Sequence, residues 1–287
     1  MVFNFLNLIC NVIKALIKAE YNLFIMKKAN IIIGLLSVFL ITLSSCTNEN
    51  IDQVPLLKKI VEVSVDGSSN TTTLNYNGNK IVNIDKVDKL TEFYYTDDLI
   101  TRIVESDKIT QHKNALDYLY SDGKLVKIIS SDNYVLNYIH TNDGSVSYEK
   151  ITKDSNNNEV KIYHGILYFQ NENLIKDERI LDDAGIGVLA KNSISIEYDY
   201  KNNALNNILG FGKLLNYSKT ISSNNDINRT EISYIKNMAE DQVISSIKTY
   251  KSKYTYNLNE YPTVIVSETL LFGGNNSNHL KSVLFYD

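Results

Sequence analysis

The chain has 287 residues and a formal charge of −4, with 20 Tyr, two Pro, two Cys and no Trp. No block of clustered Lys and Arg relieves the acidic balance, which argues against a nucleic-acid partner, because phosphate binding rewards concentrated positive charge. Scarce proline and abundant tyrosine favour long, uninterrupted strand ladders with half-buried pleated faces.

Taken in order, the first 25 residues are apolar apart from interruptions such as Lys14, Lys18 and Glu20. They stand before a second methionine, Met26, which directly precedes Lys27-Lys28. We read residues 1–25 as an extension upstream of the true start and leave them out of the fold; the other reading is an amphipathic or membrane helix. Residues 26–45 form an export signal: a short basic region, the apolar run from Ile31 to Ile41, and the small pair Ser44-Ser45. Its apolar stretch is shorter than the roughly 20 residues of a spanning helix. Leu43-Ser44-Ser45-Cys46 resembles the lipobox of bacterial lipoproteins. The resemblance implies that Cys46 carries a diacylglycerol and becomes the mature first residue, so that the partner is a membrane reached through the lipid on Cys46. The implied location is the outer membrane, at its periplasmic face or on the cell surface. Residues 46–54 are a polar tether.

Removal of residues 1–45 takes away four lysines and one glutamate, leaving 25 basic against 32 acidic residues, or −7. Cys10 falls outside the mature chain and Cys46 is the lipid acceptor, so no disulfide forms within the domain.

From about residue 55 to 287 an aromatic unit recurs. Tyr118-Leu119-Tyr120, a turn at Ser121-Asp122-Gly123-Lys124, then Leu125-Val126-Lys127-Ile128 is one copy. Leu74-Asn75-Tyr76, Phe93-Tyr94-Tyr95, Tyr198-Asp199-Tyr200 and Tyr254-Thr255-Tyr256 open others, while Tyr138-Ile139-His140 and Leu167-Tyr168-Phe169 open worn ones. Residues two apart share a strand face, and Asn-Gly or Asp-Gly turns strand back on strand, so each unit is expected to be a β-hairpin anchored by its second aromatic. A single hairpin is marginal in water, so about seven units must pair with one another. Spacings from 19 to 56 residues between anchors indicate a meander with variable back-loops rather than a strict solenoid. The expected fold is all-β: an antiparallel meander of repeated hairpins forming a curled sheet or barrel.

These units resemble the tyrosine-rich YD-type repeats of bacterial surface proteins. With the lipobox, Tyr261-Pro262-Thr263 and the terminal Phe285-Tyr286, the mature chain is similar to exported Bacteroidota lipoproteins of the DUF4595 type. That resemblance implies a porin-like, meandering β fold and no assigned activity. Segments such as 193–200 place an aromatic face beside a charged one, which describes a barrel or sheet with one packed and one wet face rather than a lipid-facing wall.

Residues that carry chemistry are few. His112, His140, His164 and His279 lie far apart, without metal-ligand spacing, and His140 stands in an aromatic anchor slot. Asp97-Asp98, Asp182-Asp183 and Asp143 have the look of solvated turns. Gly210-Phe211-Gly212-Lys213 and Gly273-Gly274 are short loop signals, with no phosphate-cradling glycine loop and no Gly-x-Ser-x-Gly. No cofactor, metal or catalytic residue is expected. Tyr94, Tyr168 and Tyr261 are the candidates to project outward, where they would stack on sugar rings or anchor a peptide; the favoured reading of most rings is that they belong to the core. The expected function is a lipid-anchored, non-catalytic module that binds glycan or envelope protein or serves as a structural component. The alternative is an exported hydrolase of envelope or dietary polysaccharide.

Overall fold

Alternation along the chain decides which face of each strand turns inward. In Ser69–Asn77, Thr72 and Leu74 are buried while Thr71, Thr73 and Asn75 are exposed, the period of two of a half-buried strand. The computed structural model describes residues 54–217, 220–271 and 278–287. The export signal, Cys46 and most of the tether lie outside the described residues. The described strands are β1 Leu57–Ser64, β2 Ser69–Asn77, β3 Lys80–Asp85, β4 Lys89–Thr96, β5 Leu99–Asp107, β6 Lys113–Ser121, β7 Lys124–Ser130 and β8 Tyr134–His140. They continue with β9 Val146–Lys153, β10 Glu159–Gln170, β11 Asn173–Leu181, β12 Val188–Asn202, β13 Asn224–Asn237, β14 Gln242–Tyr256, β15 Pro262–Leu271 and β16 Asn278–Tyr286.

Every strand pairs antiparallel with its sequence neighbours, and β1 pairs β16, so the sheet closes into a barrel. Closure removes the unpaired edges that make open sheets prone to association. The expected hairpins are present as β2–β3, β4–β5, β6–β7, β8–β9, β10–β11, β12–β13 and β14–β15. The two chain ends complete the circle, with Leu57 opposite Tyr286. In the β6–β7 turn both Asp122 and Gly123 have positive φ, 50° and 71°, the backbone that a two-residue hairpin turn requires.

The anchor aromatics have a structural task that explains their recurrence. The β5–β6 ladder stops at Arg102 opposite Asp117, and the β7–β8 ladder at Lys127 opposite Asn137. Ile100 and Leu125, each the second residue of its return strand, are thereby left with a carbonyl beyond the ladder, and a buried carbonyl needs a partner. The next hairpin's anchor supplies one. Tyr120 donates its hydroxyl to the Ile100 carbonyl at 2.8 Å, Tyr76 to Leu57 at 2.7 Å and Tyr286 to Pro262 at 2.8 Å. His140 makes the same contact through Nε2, 2.8 Å from the Leu125 carbonyl. Ladder register shifts at Asn75/Tyr76, Tyr94/Tyr95 and Leu119/Tyr120 mark a bulge at the anchors.

Two units differ from expectation: Tyr254 rather than Tyr256 bonds a neighbouring carbonyl, that of Asp226 at 2.9 Å, and the β12 unit departs further. In the unit Tyr198-Asp199-Tyr200 it is Tyr198 that bonds a neighbouring carbonyl, that of Leu174 at 2.8 Å, while Tyr200 is 96% exposed. Here β12 breaks register at Glu197/Tyr198 and leaves the ladder early to feed a long connection.

The described parts of that connection, residues 203–217 and 220–223, fold back into the lumen as a plug. It contains two single-turn helices, Phe211–Lys213 and Leu215–Tyr217, and it buries Ile208, Phe211, Leu214, Leu215 and Ile221 in the core. Phe211 packs against Phe93 and Tyr217, with ring centroids 6.3 and 5.9 Å apart. The Leu209 N–H donates to the Asn79 carbonyl at 3.0 Å, and the Leu209 carbonyl accepts from the Tyr95 hydroxyl at 3.1 Å. Gly210 has φ 74°, and a Cβ there would stand 2.8 Å from the Asp98 carbonyl. The Gly210-Phe211-Gly212-Lys213 loop signal is therefore the start of an internal plug, a role that its local sequence does not announce.

Candidate functional site in the barrel lumen

Strands β8 to β11 build the polar part of the lumen. Register pairs Tyr138 with Tyr148, Tyr148 with Gly165, and Gly165 with Arg179, so these positions share the inward face. Lys150 stands opposite Tyr163 on the same face. Gly165 is required here: a Cβ would lie 2.6 Å from the Tyr148 ring and 2.3 Å from the Glu178 carbonyl. The ring of Tyr148 occupies that space and reaches the next strand.

Tyr148 donates its hydroxyl to Asp177 Oδ1 at 2.5 Å and accepts from Arg179 Nε at 3.0 Å. The Arg179 guanidinium lies 4.4 Å from the centre of the Tyr163 ring and 3.6 Å from Asp177 Oδ2. Asp177 is buried, and burial raises its carboxyl above the usual range, against the opposing pull of the Tyr148 hydroxyl and the Arg179 charge. Lys150 sits 3.8 Å from the Tyr134 ring centre; burial first, then the Arg179 charge, holds it below the usual lysine range. Arg179, Tyr138 and Tyr163, with Leu215 and Asn216 of the plug, line a small recess of about 70 Å³. Sequence reasoning missed this constellation. Its only trace is the aromatic-x-aromatic rhythm, which marks an inward face without saying what that face holds.

The residues singled out from sequence are scattered. His112 pairs with Asp132 at 3.2 Å on the exposed surface, and His140 serves as a carbonyl latch. His279 is in β16, opposite Glu268. His164 Nδ1 lies 2.8 Å from Asp182 on the outer wall, in a shallow groove of about 310 Å³ that also holds Ser147 and Glu149. No hydrogen bond joins Ser147 to His164 among the described residues. The backbone N–H groups around them are committed to the β8–β9–β10–β11 ladders, which leaves no free pair of backbone donors for an oxyanion among the described residues. Asp97 and Asp98 occupy the β4–β5 turn. Asp143 is exposed in the β8–β9 turn, where the Thr141 hydroxyl and Ser145 lower its carboxyl to about 2. Among the described residues no three His, Cys, Asp or Glu side chains gather as metal ligands.

Of the three candidate outward tyrosines, Tyr94 is 47% exposed, and Tyr168 points outward with its hydroxyl 3.2 Å from Glu178. Tyr261 does the opposite. It is 8% exposed, packs on Tyr286, and accepts from the Asn207 amide of the plug at 2.9 Å. The Asn257 side chain, which accepts from the Tyr261 N–H, fixes a turn that swings this ring inward.

No family model matches the chain, and no curated protein matches it. Solved structures do. The chain is similar to a porin-like protein from Bacteroides vulgatus ATCC 8482, with 14% identity and a TM-score of 0.50 over 81% of this chain and 99% of that one. It is also similar to a porin-like protein from Bacteroides uniformis ATCC 8492, with 12% identity and a TM-score of 0.49 over 80% of this chain and 96% of that one. The porin-like barrel is the shared property, as the strand order above independently gives.

Proposed function

We propose that the mature chain is a lipid-anchored envelope lipoprotein of the DUF4595 type, a non-catalytic module that binds glycan or protein. The observation that carries this reading is the distribution of charge between wall and lumen. The outward row Tyr94–Arg102–Asp117 runs across three strands, with Arg102 and Asp117 paired at 3.1 Å. Lys127, Asn137 and Glu149 form a second outward row, and Lys176 pairs with Glu178 in a third place at 2.8 Å. A lysine or arginine facing lipid at mid-depth costs about 2–4 kcal/mol, so a wall built this way favours water. The lumen carries the apolar core and the plug instead. Attachment then falls to the lipid on Cys46, and the barrel is the part held out from the bilayer.

The rival reading, an exported hydrolase, has the His164–Asp182 pair on its side. Among the described residues no serine nucleophile is hydrogen-bonded to that pair, and a glycosidase would instead need two carboxyls flanking the scissile bond.

Cys46→Ala tests the anchoring. The wild-type chain is expected in the membrane fraction, with processing blocked by globomycin, and the variant is expected in the soluble fraction. Unchanged size and membrane association in the variant would overturn the lipoprotein reading.

A further inference from the structure

The small recess at the contact between wall and plug holds polar groups that the barrel does not use. Tyr138 is 5% exposed, and its hydroxyl has no hydrogen-bond partner among the described residues, although its neighbours Tyr118 and Tyr148 are both engaged. Asn216, presented by the plug, donates Nδ2 to the Tyr118 hydroxyl at 2.9 Å, while its Oδ1 is buried without a partner. Buried polar atoms are nearly always paired, because an unpaired one has given up its hydration for nothing. That oxygen and the Tyr138 hydroxyl face one recess of about 70 Å³, beside Arg179 and Asp177. A water needs only about 10–15 Å³ of such space, so the recess has room for more than one polar group.

The chemistry of the lining selects among ligands. Arg179 offers donors, Asp177 offers an acceptor, and Tyr138 is able to do either. Whichever way the Asn216 amide is turned, one polar end is left for the recess. A carboxylate ligand accepts only and would face the Asp177 carboxylate with nothing to give. A hydroxyl both donates and accepts, and two adjacent hydroxyls satisfy the whole set. Tyr163, stacked with Arg179 at 4.4 Å, adds an apolar ring beside this polar cluster. Aromatic faces next to planar polar side chains suit the mixed apolar and hydroxylated surface of a pyranose.

We propose that this recess is a binding site for the hydroxyl edge of a neutral sugar, the terminal unit of a saccharide that enters the lumen, with Asn216 of the plug as part of the site. This deepens the glycan-binding reading above and rests on it, while placing the contact inside the barrel rather than on outer tyrosines.

The test uses the full lipidated chain in a zwitterionic, sugar-free detergent. Glucose, galactose, mannose, N-acetylglucosamine and their β-linked disaccharides are titrated by calorimetry and saturation-transfer NMR, with acetate and butyrate as carboxylate controls. At least one neutral sugar is expected to bind, and Tyr138→Phe and Asn216→Leu are each expected to weaken it about fivefold to tenfold, with Tyr94→Phe as the unaffected control. Both variants nearly conserve volume, and unfolding curves confirm that they remain folded. Absence of sugar binding at about 10 mM would overturn the proposal, as would binding of the carboxylates in place of sugars or a sugar-soaked crystal with only water in the recess. Sugar binding of full strength in both variants would overturn the lumenal site yet leave the glycan-binding module standing, and the Cys46→Ala fractionation is independent of every one of these outcomes.

Discussion

At the scale of single residues, the molecule depends on a repeated hydroxyl-to-carbonyl latch. Ile81, Ile100, Leu125 and Leu174 are 0–1% exposed, so any carbonyl there that outruns its ladder has no water to turn to. Tyr120 closes one such gap at Ile100. Tyr120→Phe keeps the ring and deletes only the donor, which strands a buried acceptor. The expected loss is about 1–3 kcal/mol, read as a lower urea midpoint with an unchanged slope. His140 shows that the latch is defined by its polar tip rather than by an aromatic hydroxyl, since an imidazole nitrogen fills the same place.

At the scale of elements, the plug replaces what would otherwise be an ordinary hairpin turn between β12 and β13. It is held by backbone bonds at Asn79, by the Tyr95 hydroxyl, and by the Asn207 amide donating to the Pro55 carbonyl and the Tyr261 hydroxyl, both at 2.9 Å. Its apolar grip centres on Phe211, which is 2% exposed. Phe211→Ala removes a fully buried ring and leaves a cavity that the surrounding sheet cannot collapse to fill. The expected cost is about 3–5 kcal/mol, with increased binding of a hydrophobic dye as the lumen opens, both measurable in one thermal and fluorescence series. The plug also supplies Leu215 and Asn216 to the recess, so the filling of the lumen and the proposed ligand site share one element.

At the scale of the whole molecule, closure by β1 and β16 is the step that turns a meander into a barrel. Seven register pairs join these two strands, from Leu57 with Tyr286 to Ser64 with Leu280. Deletion of residues 278–287 leaves β1 and β15 as open edges and removes the Tyr286 latch on Pro262. Such a chain is expected to associate through its edges, seen as early elution and rising light scattering, whereas the intact chain elutes as a discrete species. The same closure separates a plugged interior, apolar apart from the polar recess between β8 and β11, from a wall that carries Arg102, Asp117 and Lys127.

The all-β class, the hairpin at Asp122-Gly123 and the inward rows at Tyr118 and Tyr120 were legible because strand periodicity and turn chemistry act over a few residues. The role of His140 as a stand-in aromatic was legible for the same reason. Other features required the tertiary structure. Tyr198 rather than Tyr200 takes the anchor slot because β12 leaves its ladder, and Tyr261 turns inward because the plug lies beneath it. The site is less legible still, since Tyr138, Arg179 and Asn216 meet only when three separate parts of the chain converge on the lumen. Local sequence set the rhythm of strands and turns, since backbone preferences are short-range. Closure, the inward fold of residues 203–217 and the polar recess came from burial, which depends on what distant segments leave uncovered.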